Sequence, residues 1–369
     1  MKVAPASAPG RLPALGVGLL LAFLLLSAAS APADTAVLTP DGTLYEVYPA
    51  RYADVVPSSA GSTDAQIPVL VLRTSRSGAE TEQEIINGTL DSYEEGSVSI
   101  EFDPKTGTLF VAYTKFRGLM ADMHVALRRG AAWMGEDILS NQGLYLSINP
   151  KVVVTRQSYL DFDGEGGTTR KWRTIFSLVW WEESGPSQAR YAAVFVEDGE
   201  LSLSRIAAYN LNELGAAAGT TDTGGLPLSS FIYPSVQRDP STNGGVLVTF
   251  ANLALRKQQV VQITFPDDIT ALSPPGAVAA PEEALARAHV PIGRSLGTGR
   301  LPLAANATAD LGAIASESGV TTYYWFVEGA LSFSRSDEDE TAAPKRIPLR
   351  PSLGPDRALG LVRELAARD

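Results

Sequence analysis

The chain of 369 residues is long enough for one large domain or two ordinary ones, and 45 % of its residues are apolar, which is enough for a core. The formal net charge of −11 makes nucleic acids and anionic membrane surfaces poor partners, because both repel an acidic surface. The absence of cysteine excludes disulfides, so we expect the fold to depend on its hydrophobic core alone.

The N-terminus has the pattern of a secretory signal peptide. Lys2 and Arg11 supply positive charge, residues 15–26 form an apolar run, and residues 31–33 (Ala-Pro-Ala) are small enough for cleavage. We therefore expect residues 1–33 to be removed during Sec-type export, which predicts a secreted or periplasmic bacterial protein with no contact to a membrane afterwards. An uncleaved membrane anchor is the alternative, but the run is short for a membrane span.

A unit of strand, turn and strand recurs along the chain. Residues 99–113 and 235–250 both read as an apolar strand, Asp-Pro, Thr, Gly and a second strand, and residues 39–48 open with a similar turn. In such a turn Asp-Pro starts the reversal and Gly takes the positive φ. A second part of the unit also recurs, because residues 196–205 (VEDGELSLSR) closely match residues 327–335 (VEGALSFSR).

The spacing of these units predicts the architecture. They start near residues 37, 97, 149, 233 and 318, which suits four-stranded sheets with inserted loops. Repeated sheets of this kind form a β-propeller, whose closure removes exposed strand edges. We predict an all-β fold, a β-propeller of five or six four-stranded blades in which the N-terminal strand completes the last blade. A two-sheet sandwich is the alternative, but it does not explain regularly spaced copies of one hairpin.

Two stretches lie outside the repeat. Residues 268–318 read as an irregular Ala/Pro-rich insertion, within which residues 281–289 predict a short helix because Pro stands in the first turn and acids follow it. Residues 351–369 predict a C-terminal helical tail with one apolar face. The predicted propeller domain therefore spans residues 34–350.

Two segments carry remnants of a known repeat. Residues 125–133 keep a Gly and a Trp, and residues 334–344 keep a Ser and several acids, at positions that resemble the BNR/Asp-box repeats (Ser-x-Asp-x-Gly-x-x-Trp) of sialidase-like propellers. The resemblance covers about 37–350 in degenerate form and implies a propeller fold. An active sialidase needs three arginines, a Tyr–Glu pair and an Asp. The motif Arg346-Ile-Pro stands near the C-terminus instead of in the first blade, so no catalytic residue is carried over.

Other catalytic motifs are incomplete. Residues 293–297 (Gly-Arg-Ser-Leu-Gly) match the nucleophile-elbow pattern, but Gly-Thr-Gly follows where a helix is required, and both His124 and His289 stand upstream. We interpret the match as a chance one. Two histidines without cysteine also leave no usual zinc site.

An acidic turn is the candidate metal site. Asp161, Asp163 and Glu165 alternate across a Gly-rich segment, where several hard oxygens can surround one Ca2+ ion. A solvated hairpin insertion is the alternative reading of the same residues. Calcium is the one cofactor that the sequence suggests.

An aromatic strand is the candidate ligand site. Trp180 and Trp181 point to opposite faces of a strand, so one belongs to the core and the other can line a channel. We assign ligand binding to Trp181 and Glu182, together with Tyr324 in the corresponding strand of the last unit. Core packing is the alternative for each aromatic residue.

The leading functional hypothesis is a monomeric, non-catalytic module that binds a glycan or a protein at the axial face of the propeller. It follows from the repeat, the leader and the incomplete catalytic motifs. A sialidase-like glycoside hydrolase and a structural envelope protein are the alternatives.

Overall fold

The structure is a computed structural model in which most of the chain is described. The described residues are 35–76, 81–86, 98–117, 120–138, 146–162, 167–183, 187–197, 200–202, 208–211, 214, 232–252, 257–272, 281–300, 312–315, 321–327, 330–335, 338, 343, 345–348 and 362. Within these ranges the fold is nearly all β, with few helices, which confirms the predicted fold class at this level. None of the helices in these ranges is long and apolar enough to cross a membrane.

The described strands form five consecutive antiparallel meanders, each built on four strands in chain order. The first contains β1 (Ala36–Leu38), β2 (Leu44–Arg51), β3 (Pro68–Ser75) and β4 (Glu82–Ile85). The second contains β5 (Val98–Asp103), β6 (Thr108–Arg117), β7 (Met120–Arg129) and β8 (Ala132–Ile138). The third contains β9 (Leu146–Phe162), β10 (Thr168–Glu183), β11 (Ser187–Glu197) and β12 (Glu200–Ser202), with β13 (Tyr209–Asn210) also paired to β11.

The remaining two meanders follow in the same order. The fourth contains β14 (Ile232–Arg238), β15 (Val246–Asn252), β16 (Lys257–Thr264) and β17 (Ile292–Arg300). The fifth contains β18 (Gly312–Ala315), β19 (Thr321–Val327), β20 (Ala330–Arg335) and β21 (Lys345–Pro348). The helical segments are Tyr52–Val55, Pro57–Ser59, Thr63–Gln66, Thr270–Leu272 and Pro281–Ala288. A parallel pairing of Ala121 with Leu146 joins the second and third meanders into one sheet.

The repeated turns have the predicted geometry. In two copies the carboxylates of Asp103 and Asp239, which precede the proline, accept a hydrogen bond from the backbone N–H two residues later, at 3.1 and 2.9 Å. In the first copy Thr39 precedes the proline, and its hydroxyl oxygen accepts a hydrogen bond from the backbone N–H of Thr43 at 3.0 Å. A glycine with a positive φ, between 67° and 83°, closes each turn. The repeat seen in the sequence is therefore a repeat of local structure.

Successive meanders pack face to face through side chains that alternate along the strands. Tyr45, Leu72 and Val111 contribute to the core between the first and second meanders. Between the second and third, the rings of Phe110 and Phe176 stack 5.0 Å apart. A third core, between the third and fourth meanders, includes Ile175, Tyr191 and Val248. Four meanders in series have three apolar interfaces, whereas a two-sheet sandwich has one, so a single sandwich does not describe this fold.

The N-terminal strand was predicted wrongly. β1 pairs with β2 in the first meander, with Leu38 opposite Leu44, instead of completing the last one. The tight turn that ends at Thr43 brings the two strands together over a short loop, and short loops cost the least entropy to close.

The stretches set apart from the repeat contain regular structure. The predicted helix at 281–289 is present as Pro281–Ala288, and β17 and β18 lie within residues 268–318. Of the tail 351–369, only Val362 is among the described residues, and it is helical and buried. The rest of the predicted tail helix and the leader lie outside them.

Candidate functional site

The two ends of the β9–β10 pair differ in chemistry. These strands have 17 and 16 residues, and they pair from Glu183 opposite Leu146 to Thr168 opposite Phe162. We call the Leu146 and Glu183 end the loop end, and the Phe162 and Thr168 end the hairpin end. The candidate site lies at the loop end.

Four polar side chains gather on one face of the third meander at the loop end: Ser147 of β9, Trp180 and Glu182 of β10, and Arg190 of β11. We call them the loop-end cluster. The strand register makes them neighbours, because Glu182 pairs with Ser147 and Trp180 with Arg190. Trp180 belongs to the core shared with the second meander, so the cluster extends that interface towards the loops. Ser147, Trp180 and Glu182 are buried, whereas 20 % of the Arg190 side chain is exposed.

Glu182 is a buried carboxyl with an incomplete set of partners. Its Oε1 lies 3.6 Å from Nε of Arg190, and its side chain is only 2 % exposed. Burial raises the pKa of Glu182, and the charge of Arg190 and the indole N–H of Trp180 counteract this only in part. The carboxyl therefore keeps its proton to a higher pH than an exposed glutamate does.

Several atoms of the loop-end cluster are buried without a hydrogen bond of normal geometry. They are Oε2 of Glu182, Oγ of Ser147, Nε1 of Trp180 and Nε of Arg190. Buried polar groups in folded proteins nearly always have a partner, so an unmet group indicates bound water, an ion or a functional role. Nε of Arg190 and Nε1 of Trp180 already face the Glu182 carboxyl, so Oε2 of Glu182 and Oγ of Ser147 are the atoms best suited to receive a polar group such as a hydroxyl.

The loop end also contains buried charged and polar residues of the second meander. Lys115 on β6 pairs with Asp122 on β7, and His124 follows two residues later; all three are buried. They lie near the loop end because Ala121, next to Asp122, pairs with Leu146. Sequence reasoning missed them, although an acid and a histidine within the otherwise apolar β7 are unusual at buried positions and could have indicated them.

The predicted ligand residues lie in separate environments. Trp181 and Glu182 are both buried and point to opposite faces of β10. Tyr324 is also buried, and its hydroxyl donates a hydrogen bond to Gln237 of β14 in the fourth meander. The structure does not bring Tyr324 to Glu182, which faces the second meander. A role of these three residues in ligand binding stays a prediction.

The predicted calcium site lies mostly outside the described residues, which include Asp161 but not Asp163 or Glu165. Oδ2 of Asp161 lies 3.0 Å from Nζ of Lys171, so that carboxylate already has a cationic partner. Within the described part of the chain, no group of three or more acids and histidines could hold a metal ion. Calcium binding therefore stays a prediction.

The nucleophile-elbow match lies in regular strand. Ser295 is in β17 and pairs with Val261 of β16, whereas an elbow needs a sharp turn from a strand into a helix. This agrees with the interpretation of residues 293–297 as a chance match. Arg346 is exposed on β21, an edge strand of its sheet.

The hairpin end contains a buried charge of a different kind. Nε of Arg173 donates a hydrogen bond to Oε1 of Gln157 at 2.7 Å, and its Nη2 donates to the carbonyl oxygens of Pro266 at 2.8 Å and Ala288 at 3.2 Å. Its Nη1 lies 3.4 Å from Oε1 of Glu197. Each guanidinium nitrogen therefore has a partner, and the side chain joins β10 to the end of the helix Pro281–Ala288.

Glu197 and His289 complete this network. Nε2 of His289 lies 3.0 Å from Oε1 of Glu197, and the imidazole stacks on the ring of Phe195 with centroids 4.1 Å apart. Burial alone would raise the pKa of Glu197, but His289 and Arg173 outweigh it, so the pKa lies below its ordinary value. The hairpin end is thus a satisfied structural network.

Comparison with known proteins gives no family for this chain. No protein-family model matches it, and no curated protein matches it. Among solved structures, it is similar to an endo-arabinase from Bacteroides thetaiotaomicron VPI-5482, with 10 % sequence identity over 87 % of this chain and 95 % of that chain, at a TM-score of 0.29. A likeness at this TM-score does not establish a common fold or activity.

Proposed function

We propose that the chain is a five-bladed β-propeller that binds a carbohydrate at the loop end without cleaving it. Five consecutive four-stranded meanders, the first four of which pack face to face in series, support the propeller, because closure would give every meander a neighbour on both faces. The degenerate Asp-box resemblance supports the same architecture.

The unmet polar atoms of the loop-end cluster carry the proposal. A carboxyl oxygen and a serine hydroxyl, beside an indole N–H and a guanidinium that face the same carboxyl, match sugar hydroxyls, each of which donates and accepts hydrogen bonds. A site with buried polar atoms selects strongly for ligands that satisfy them, because a ligand without the matching groups leaves those atoms unpaired. Arg190, which is partly exposed, connects the buried cluster with solvent.

A glycan array with the purified protein tests this function. We expect binding to a subset of neutral glycans that is lost in Glu182→Gln and retained in Glu183→Gln. Glu183 is a matched control because it is the exposed neighbour of Glu182 on the same strand. Absence of any bound glycan, as a purely structural envelope protein would give, or equal binding by the two variants would contradict the proposal.

A glycoside hydrolase is the second candidate, and the raised pKa of Glu182 favours it. A general acid must keep its proton to a higher pH than an exposed carboxyl does, and burial shifts the pKa of Glu182 in that direction. Hydrolysis also needs a second carboxyl group about 5 to 9.5 Å away. An assay with fluorogenic glycosides, including sialosides, tests this candidate. Turnover that is lost in Glu182→Gln and persists in Glu183→Gln would show that the protein is a glycoside hydrolase and not a binding module.

We also propose that the protein is exported and acts as a monomer. The leader-like residues 1–33 support export. N-terminal sequencing of the protein recovered from outside the cytoplasm is expected to begin at Asp34. A protein that retains Met1, or that stays in the cytoplasm, would contradict export.

A further inference from the structure

The β9–β10 hairpin has one packed face and one exposed face. On the packed face, Tyr159 lies in a small core with Ile269, Ala284 and Ala288. The other face presents Arg156, Ser158, Arg170 and Trp172, which we call the hairpin face. This assignment follows from the register, in which Ser158 pairs with Trp172, and from the alternation of side chains along each strand.

Two guanidinium groups gather around one indole on the hairpin face. Trp172 is 53 % exposed, and the guanidinium carbon of Arg156 lies 5.3 Å from the centre of its ring. Nη1 of Arg170 donates a hydrogen bond of 3.1 Å to Oγ of Ser158, the residue opposite Trp172. Both guanidinium groups therefore contact the Ser158–Trp172 pair.

These two charges are not neutralised within the described part of the chain. The partners of Arg156 and Arg170 are an aromatic ring and a hydroxyl, both uncharged. Lys171, on the opposite face of the same strand, is in contrast paired with Asp161 at 3.0 Å. In a chain of net charge −11, two cations that have no carboxylate partner among the described residues, beside an exposed indole, form a local site for an anion.

We propose that the hairpin face binds a carboxylate-bearing polysaccharide, with one sugar ring on the Trp172 indole and its carboxylate between Arg156 and Arg170. Guanidinium groups bind carboxylates through strong charge-assisted hydrogen bonds, and the apolar face of a sugar ring packs on an aromatic ring. The site lies at the opposite end of β10 from Glu182 and does not depend on the function proposed for the loop end.

The surroundings of Trp172 favour a polysaccharide over other anionic chains. The other large apolar side chains exposed within the described residues, Leu38, Met120, Val290 and Ile292, lie on other elements of the fold. The hairpin face therefore lacks the contiguous apolar patch that a protein interface buries at its centre. A single-stranded nucleic acid also combines anionic groups with rings that stack on an indole, so it is a competitor in the binding experiment.

Calorimetry with the purified protein and a hexamer of galacturonic acid tests the proposal. We expect binding that weakens with salt, a decrease in affinity of about tenfold in Trp172→Ala and of about fivefold in Arg156→Gln or Arg170→Gln. The control Lys171→Gln loses a charge from the same strand but from its other face, and it is expected to bind within about twofold of the wild type. Glu182→Gln is expected to bind the hexamer like the wild type, which separates this site from the loop end.

Several results would overturn the proposal. They are no binding of the hexamer at low salt, equal binding of its fully methyl-esterified form, and unchanged affinity in Trp172→Ala. Equal or tighter binding of a hexaglutamate peptide or of a single-stranded hexanucleotide would also overturn it, because the face would then select charge alone or another class of chain.

Discussion

Arg173 and Glu182 are two buried charged residues on the same strand, and their surroundings are opposite. Arg173 lies at the hairpin end with a partner for each guanidinium nitrogen. Glu182 lies at the loop end with one distant ion pair and an oxygen that has no hydrogen bond of normal geometry. A buried charged side chain whose polar atoms all have partners contributes to the folded structure. A buried charged side chain that lacks partners lowers the stability of the fold, but its unpaired atoms can bind a ligand.

Loss of Arg173 is expected to have the largest effect. Arg173→Met leaves the carbonyl groups of Pro266 and Ala288 without their donor and removes the guanidinium beside the buried Glu197, which keeps His289 as a partner. The free energy of unfolding should therefore fall by about 3 to 5 kcal/mol. Urea denaturation measures this. Arg170→Met, an exposed change on the same strand, is the control and should cost about 0.5 kcal/mol or less. An Arg173→Met protein as stable as the wild type would contradict the structural role assigned to Arg173.

A substitution at Asp103 in the repeated turn should cause the next largest loss of stability. Asp103 accepts hydrogen bonds from Thr174, Thr106 and the backbone of Lys105, so Asp103→Ala is expected to cost about 2 kcal/mol at neutral pH. Burial alone would raise the pKa of Asp103, but these hydrogen bonds outweigh it and the pKa lies below its ordinary value.

The cost of Asp103→Ala should depend on pH, because the pKa of Asp103 is lowered in the folded state. The ionised Asp103 contributes its stability above the pKa of an unfolded aspartate, and this contribution is lost as the pH falls through the lower pKa of the folded state. The difference between wild type and Asp103→Ala in denaturation should therefore shrink below about pH 4. A difference that stays constant down to acidic pH would contradict this account of the turn.

Glu182→Gln is expected to stabilise the protein. Because the pKa of Glu182 is raised, the folded state binds the proton more tightly than the unfolded state, and stability falls as the pH rises above the unfolded value. The variant should gain about 1 kcal/mol at pH 7, at the lower end of the cost of an unmet buried group. This gain should disappear in acid, and Glu183→Gln should show none. A loss of stability in Glu182→Gln would mean that Glu182, like Arg173, has a structural role.

Trp172→Ala is expected to have the smallest effect on stability. Its indole is exposed and contacts Arg156, which is also exposed, so the free energy of unfolding should change by about 0.5 kcal/mol or less. Denaturation of this variant beside Arg173→Met compares the two faces of one strand directly. A cost near that of Arg173→Met would mean that Trp172 belongs to the core and not to a binding face.

Structural features that depend only on residues adjacent in the chain could be predicted from the sequence. The turn that begins at Asp103 could be predicted because Asp-Pro, Thr and Gly define it locally, and the helix Pro281–Ala288 because Pro and acids define its start. The pairing of β1 was predicted wrongly because the choice between a local and a distant partner depends on the arrangement of all the sheets.

The candidate site could be predicted only in part. Glu182 was a candidate from its place beside two tryptophans, but its raised pKa depends on burial at the interface of the second and third meanders, which the local sequence does not reveal. Arg173 was not identified, since residues between Val154 and Ile175 read as a solvated insertion. Its burial depends on Ala288, more than a hundred residues further along the chain.

The most direct test of the loop-end site is calorimetric titration of the strongest array glycan into the wild type, Glu182→Gln and Trp172→Ala at pH 7. The account predicts that Glu182→Gln, although more stable, binds at least about tenfold more weakly, while Trp172→Ala binds a neutral glycan like the wild type. Equal affinity of the wild type and Glu182→Gln would contradict the assignment of ligand binding to the loop end.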